Sequence, residues 1–227
     1  MNATLYPFIF TQTGLDSGAL TLLGAIIHQF PEAGEYRGVS TDPSGGTTVF
    51  YLTVANDLAV AQVNIDLAAL ANAPAASAGC SCGTAADGSG GRHFTLQTHG
   101  YAVLHVSGGA GGYAVRIGRA TNVPEPKLFD STTLEHGDLF AATLLRPGRY
   151  RVRNPAQSGA RPGEVNVAYP AVGATAFQPP APVRIECTAS GFREAAVQLT
   201  AMQGCIFECR VRSRIVIELV SALDPPS

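Results

Sequence analysis

Twice this chain runs through an apolar segment, breaks at proline and glycine, and restarts on Tyr-Arg. The first copy reads Ala25-Ile26-Ile27 and then Pro31-Glu32-Ala33-Gly34-Glu35-Tyr36-Arg37. The second reads Ala142-Thr143-Leu144-Leu145 and then Arg146-Pro147-Gly148-Arg149-Tyr150-Arg151. Proline fixes φ at one turn position and glycine supplies a positive φ at another, so the chain reverses tightly between extended segments. This recurrence commits the chain to short strands joined by tight turns. Two copies point to two β modules related by duplication.

The rest of the chain fits that frame. Residues 47–54 (Thr-Thr-Val-Phe-Tyr-Leu-Thr-Val) form a β-branched and aromatic strand set off by Asp42-Pro43-Ser44-Gly45-Gly46. Residues 20–30 and 59–67 read as two more strands, and Pro7 makes 5–10 an edge strand or extended arm. Residues 71–91 are mostly Ala, Gly and Ser and carry no large apolar side chain, so they read as a linker or long loop. Beyond them, residues 94–97, 101–106 and 113–117 read as a meander, and 139–145 with 150–153 as a hairpin about Pro147-Gly148. Strands are also expected at 165–169, 183–187, 196–199, 205–211 and 215–220. The expected fold is all-β: two β-sandwich modules, or one large sandwich or barrel of short antiparallel strands. The Pro-Gly-x-Tyr turns resemble those of Ig-like and prealbumin-like sandwiches, a likeness confined to the turns. The expected division is an N-terminal β module at 1–70, the linker at 71–91 and a C-terminal sandwich at 92–227.

Composition removes several function classes. Lys127 is the single lysine against fourteen arginines, so no GxxxxGK[ST] phosphate loop exists. Ser107-Gly108-Gly109-Ala110-Gly111-Gly112 precedes a strand-like alternation rather than a helix, which excludes a dinucleotide fingerprint. Neither Gly-x-Ser-x-Gly nor His-Glu-x-x-His occurs, and tryptophan is absent. The formal charge of -2 gives no pull toward nucleic acid or anionic membrane. No basic, apolar leader opens the chain, which reads as cytoplasmic; a mature secreted form would look the same.

Three groups of residues remain as candidates. Arg149, Arg151 and Arg153 alternate, as do Arg210, Arg212 and Arg214, so each trio is expected to line one strand face. Such rows serve as subunit contacts, because the guanidinium fork makes several oriented bonds. Nearby Glu208 and Glu218 argue equally for ion-pair ladders. Cys80 and Cys82, with His93, could hold a soft metal, zinc or copper. His93 and His105 would meet if the chain turned between paired strands at His99. Five cysteines cannot all pair internally; Cys187 on a neighbouring strand could pair with Cys205 or Cys209, and reduced buried thiols are the more ordinary expectation. Only 14% of the residues are charged, and no active-site motif appears. The reading is therefore a non-enzymatic β-sandwich protein whose partner is a second copy of itself, a homo-oligomer. The alternatives are a small-ligand or metal-binding protein using Cys80, Cys82 and histidines, and an enzyme with a loop-built site.

Overall fold

A computed structural model describes residues 11–72, 92–120, 127–170 and 178–223. The first run of elements is β1 (Gly14–Asp16), β2 (Gly24–Phe30), β3 (Gly34–Thr41), β4 (Thr47–Ala55), β5 (Gln62–Asp66), the short helix α1 (Leu67–Asn72), β6 (His93–Gln97), β7 (Gly100–His105) and β8 (Ala114–Arg119). The second is β9 (Lys127–Asp130), β10 (Leu139–Thr143), β11 (Gly148–Arg153), β12 (Gly163–Ala168), β13 (Val183–Thr188), β14 (Gly191–Phe192), β15 (Ala196–Thr200), β16 (Gly204–Cys209) and β17 (Val216–Ala222). The fold is all-β, as the period-two alternation predicts. Among the described residues no helix is long and apolar enough to cross a membrane.

The strands form three sheets. A central sheet has the order β14-β13-β16-β10-β2-β7-β5. A first outer sheet has the order β6-β4-β3-β8-β9, and a second the order β15-β12-β11-β17-β1. The central order reads outward from the β2–β10 pair in the same sense on both sides: β2-β7-β5 on one, β10-β16-β13 on the other. The outer sheets correspond in the same way, β3 to β11, β4 to β12, β6 to β15 and β8 to β17. The strands are not all antiparallel: β4 with β6, β5 with β7, β12 with β15 and β13 with β16 run parallel. The expectation of antiparallel strands is corrected to mixed sheets.

The repeated Tyr-Arg motif is the joint of each half. Tyr36 donates its hydroxyl to the carbonyl of Glu32, and Tyr150 donates to that of Arg146, each at 2.7 Å. Both rings are fully buried. Gly34 and Gly148 adopt φ of 154° and 155°, where a side chain is strained. A Cβ on Gly148 would also lie 2.5 Å from the Ser221 carbonyl oxygen. The motif does not close a hairpin, however. It carries the chain from the central sheet (β2, β10) to an outer sheet (β3, β11), so the expected 139–153 hairpin is an arch between sheets. The expected meander over 94–117 is corrected likewise: β6 and β8 lie in the first outer sheet and β7 in the central one. The sheets also do not part at residues 73–91, because β4 and β5 pair with β6 and β7 from beyond that segment.

The first strand of each half sits in the other half's outer sheet. β1 pairs with β17, and β9 with β8. Each ends in Asp-Ser and makes the same bonds. Ser17 exchanges two backbone-linked bonds with Ile215, its N–H donating to the Ile215 carbonyl at 2.9 Å and its Oγ accepting the Ile215 N–H at 3.0 Å. Ser131 does the same with Val115, at 2.9 and 2.8 Å. Three residues on, Leu20 and Leu134 are fully buried and bridge to Tyr113 and Ser213. Phe30 against Tyr36, at 5.1 Å between ring centroids, and His28 against Phe129, at 4.7 Å, pack the central sheet on the first outer sheet. One continuous cluster of buried side chains runs through all three sheets.

Candidate functional site

The arginine trios part company in the structure. On β11, Gly148, Tyr150 and Val152 point inward while Arg149, Arg151 and Arg153 stand exposed in a row. Arg153 pairs with Glu218 at 2.7 Å, and Arg149 lies 3.9 Å from Glu164. Arg151 stands between them, opposite Glu164 on β12 and Glu218 on β17. The second trio forms no row. Arg210, Arg212 and Arg214 lie in the connection between β16 and β17. There the Arg210 N–H is drawn to the Cys187 carbonyl and the Arg214 N–H to Asn154 Oδ1. Their side chains diverge. Arg210 reaches Glu186 at 3.3 Å and Glu208 at 3.1 Å, Arg212 comes within 4.0 Å of Glu135, and Arg214 grips Asp16 with two bonds of 3.0 and 2.7 Å.

Cys80 and Cys82 lie outside the described residues. His93 sits on the outward face of β6, its ring stacked on Tyr51 at 6.4 Å and its Nε2 3.3 Å from the Thr53 hydroxyl. His105 belongs to the central sheet, so the expected pairing of His93 with His105 on neighbouring strands does not occur. Among the described residues no three His, Cys, Asp or Glu side chains gather where they could hold a metal. Cys187, Cys205 and Cys209 are buried free thiols, and Cys187 lies opposite Cys209 across two parallel strands. A hydrogen bond with Cys209, and then burial, raises the Cys187 thiol; burial pushes Cys205 up to about 12. Such thiols stay protonated and pack as small apolar groups.

The central sheet has two unlike faces. Toward the outer sheets, Ile26, Leu104, Phe140 and Phe207 are fully buried. Turned away from them, Ala25, Ile27, Val103, Leu139, Ala141 and Ile206 are only half-buried. The register makes these six contiguous: Ile27 lies opposite both Val103 and Leu139, and Ala141 opposite both Ala25 and Ile206. A sheet with one face toward water normally alternates apolar-in and polar-out, and these middle strands do not. The polar residues stand at the margins, with Arg184, Glu186 and Glu208 on one side and Tyr101, His105 and Asn64 on the other.

The first outer sheet differs from the second. Arg37 holds the place that Arg151 holds in the second sheet, but its cross-strand neighbours are Tyr51 and Gly118 instead of two glutamates. Over Gly118 lies a hollow of about 390 Å³, walled by Arg37, Val39, Arg116, Lys127 and Asp130. Asp130 Oδ2 takes the Lys127 ammonium at 2.6 Å and Arg116 Nε at 3.3 Å, and Oδ1 takes the Thr132 N–H and hydroxyl at 2.8 and 2.5 Å. Burial would raise the Asp130 carboxyl. The bonds from Lys127 and Thr132 outweigh it and hold this group below the usual carboxylate range. The sequence reading missed this cluster, as it missed His28, whose Nδ1 lies 2.6 Å from Asp138 Oδ1 at the β2–β10 seam.

Comparison with family models, with curated proteins and with solved structures finds no match for this chain.

Proposed function

We propose that this protein is a self-associating β-sandwich subunit, non-enzymatic, whose contact is the aliphatic face of the central sheet. In this reading the central sheet and the two outer sheets make two sandwich modules, joined edge to edge through β2 and β10. The observation that carries it is the six-residue aliphatic field at the middle of a seven-stranded sheet, rimmed by polar side chains. The occupant is a second copy. The field straddles the β2–β10 pair, about which the strand order is symmetric, so a two-fold operation lays apolar on apolar. With the axis along the strands, the margin bearing Glu186 and Glu208 meets the margin bearing His105 and Asn64, and no like-charged rows oppose.

The arginines of the earlier expectation fit this reading as lateral support. Arg149, Arg153, Arg210 and Arg214 each have an acidic partner within the chain, and exposed pairs of this kind contribute about 0–1 kcal/mol. Analytical ultracentrifugation across concentration tests the proposal on wild type, Ile27→Glu, Ile206→Glu and Arg151→Ala. The expected result is an associating wild type, monomeric Ile27→Glu and Ile206→Glu with unchanged melting temperature, and an associating Arg151→Ala. A wild type that stays monomeric, or association indifferent to a glutamate at Ile27, removes the contact.

A further inference from the structure

We infer that Cys187 and Cys209 are a disulfide-forming pair, joined Sγ to Sγ by a disulfide oxidant such as glutathione disulfide, while Cys205 stays reduced. The inference is independent of self-association, because both side chains are buried on the face of the central sheet that carries Phe207, away from the aliphatic field.

Register is the first argument. Cys187 on β13 and Cys209 on β16 stand directly opposite on neighbouring parallel strands, and both side chains point to the buried face. Neighbouring strands lie roughly 4.8 Å apart, inside the Cα separation of about 4.4–6.8 Å that a disulfide spans. The two thiols already share a hydrogen bond. The backbone fixes this register on both strands: the Arg210 N–H donates to the Cys187 carbonyl at 3.0 Å, and the Cys209 N–H to the Asp138 carbonyl at 3.0 Å. Cys205 is excluded by the same register. It lies opposite Val183, four residues from Cys187 along β13, which is about 13 Å. Its thiol donates instead to the Ala142 carbonyl at 3.4 Å.

The second argument is internal. The first half pairs β5 with β7 as the second pairs β13 with β16. Val63 lies opposite Ala102 where Val183 lies opposite Cys205, and Ile65 opposite Leu104 where Ile185 lies opposite Phe207. One residue past the paired Asp66 and His105, the places of Cys187 and Cys209 are taken by Leu67 and Val106, both buried. The fold thus accepts two aliphatic side chains there, and packing alone does not call for a thiol on each strand.

In the folded chain Cys187 is 1% and Cys209 0% exposed, so the exchange takes place before β13 docks on β16. The thiolate of one cysteine attacks the S–S bond of the oxidant and releases one thiol, and the second cysteine then attacks the mixed disulfide and releases the other. The two protein thiols give up two protons and two electrons, and the oxidant becomes two thiols. The bond closes a loop over 187–209, which contains β14 and also β15 of the second outer sheet. It therefore staples the edge of the central sheet and restricts the unfolded chain.

The test is to refold reduced wild type in a mixture of reduced and oxidised glutathione, alkylate it and map its peptides by mass, with Cys187→Ala, Cys209→Ala and Cys205→Ala alongside. The expected result is a peptide linking Cys187 to Cys209, an alkylated Cys205, and a melting temperature about 5 °C or more above that of the reduced protein. Cys205→Ala keeps the link and the shift, and Cys187→Ala and Cys209→Ala lose both. The wild-type map decides by itself where alanine at a buried position prevents folding. Alkylation of both Cys187 and Cys209 after refolding overturns the inference, and so does a link from Cys187 to Cys205. A Cys187–Cys209 link that fails to raise the melting temperature overturns it too, because the folded strands would then not hold the two thiols at bonding distance.

Discussion

The first and second outer sheets are built on one plan and finished differently. Both receive the chain through a buried tyrosine bonded back to a carbonyl four residues earlier. Both borrow an edge strand that ends in Asp-Ser. Both place an arginine at the middle of the outward face. In the second sheet Arg149 and Arg153 pair with Glu164 and Glu218, and the face is a closed ladder. In the first sheet Gly118 and Tyr51 stand where those acids would be, and the face opens into a hollow. The difference separates what the fold requires, which is repeated, from what each surface carries, which is not. A structural position is expected to cost the same in both halves, and a surface position is not.

The largest effect should fall on the shared framework. Leu20 and Leu134 are each fully buried and each bridge a borrowed strand's continuation to its own half. Leu20→Ala and Leu134→Ala should each cost about 2–5 kcal/mol, the range for an aliphatic side chain removed from a core. Chemical denaturation should give the two variants similar midpoints, both well below wild type. A loss confined to one of them would break the equivalence of the halves.

A smaller effect should separate the two Asp-Ser strands. Asp130 is 3% exposed and holds four donors, whereas Asp16 is 26% exposed and holds Arg214 and the Gly18 N–H. Asp130→Asn should cost roughly 1–3 kcal/mol and Asp16→Asn at most about 1 kcal/mol. For Asp130 the carboxyl is depressed in the folded state. Its contribution is therefore complete above the unfolded value near 4 and fades as pH falls through the folded value. Thermal melts from neutral to acid pH should show a wild-type acid limb that Asp130→Asn flattens. Equal limbs in the two proteins would remove Asp130 as its source.

Much of this framework is written in the chain, though not the sheet partners. Alternation told correctly that 47–54 and 150–153 are strands, because one face of each is buried. It could not say which sheet a strand joins, since inside and outside repeat every two residues in any sheet. Pro147-Gly148 was therefore read as a hairpin when the Tyr150 hydroxyl makes it an arch. Arg210, Arg212 and Arg214 alternate like a strand, yet their backbone bonds go to Cys187, Asn154 and neighbouring loops. A signal for the duplication went unused: Asp16-Ser17-x-x-Leu20 and Asp130-Ser131-x-x-Leu134 stand at equal distances before Tyr36 and Tyr150. The hollow was illegible because Arg37, Arg116, Gly118 and Lys127 come from three strands, and no local spacing unites them.

The smallest expected effect is the sharpest test of the comparison, because it asks the second sheet to behave like the first. Glu218 stands opposite Arg151 and pairs with Arg153, at the place Gly118 holds in the other half. Glu218→Gln removes its charge and keeps its volume, while Glu218→Gly removes both. The pair with Arg153 is half exposed, so losing it should cost no more than about 1 kcal/mol, with a further 0.5–1 kcal/mol for glycine within a strand. Urea denaturation should therefore place Glu218→Gln within about 1 kcal/mol of wild type, with Glu218→Gly a little below it. A loss of several kcal/mol in Glu218→Gln would mean that the ladder of the second sheet belongs to the shared framework and not to its surface.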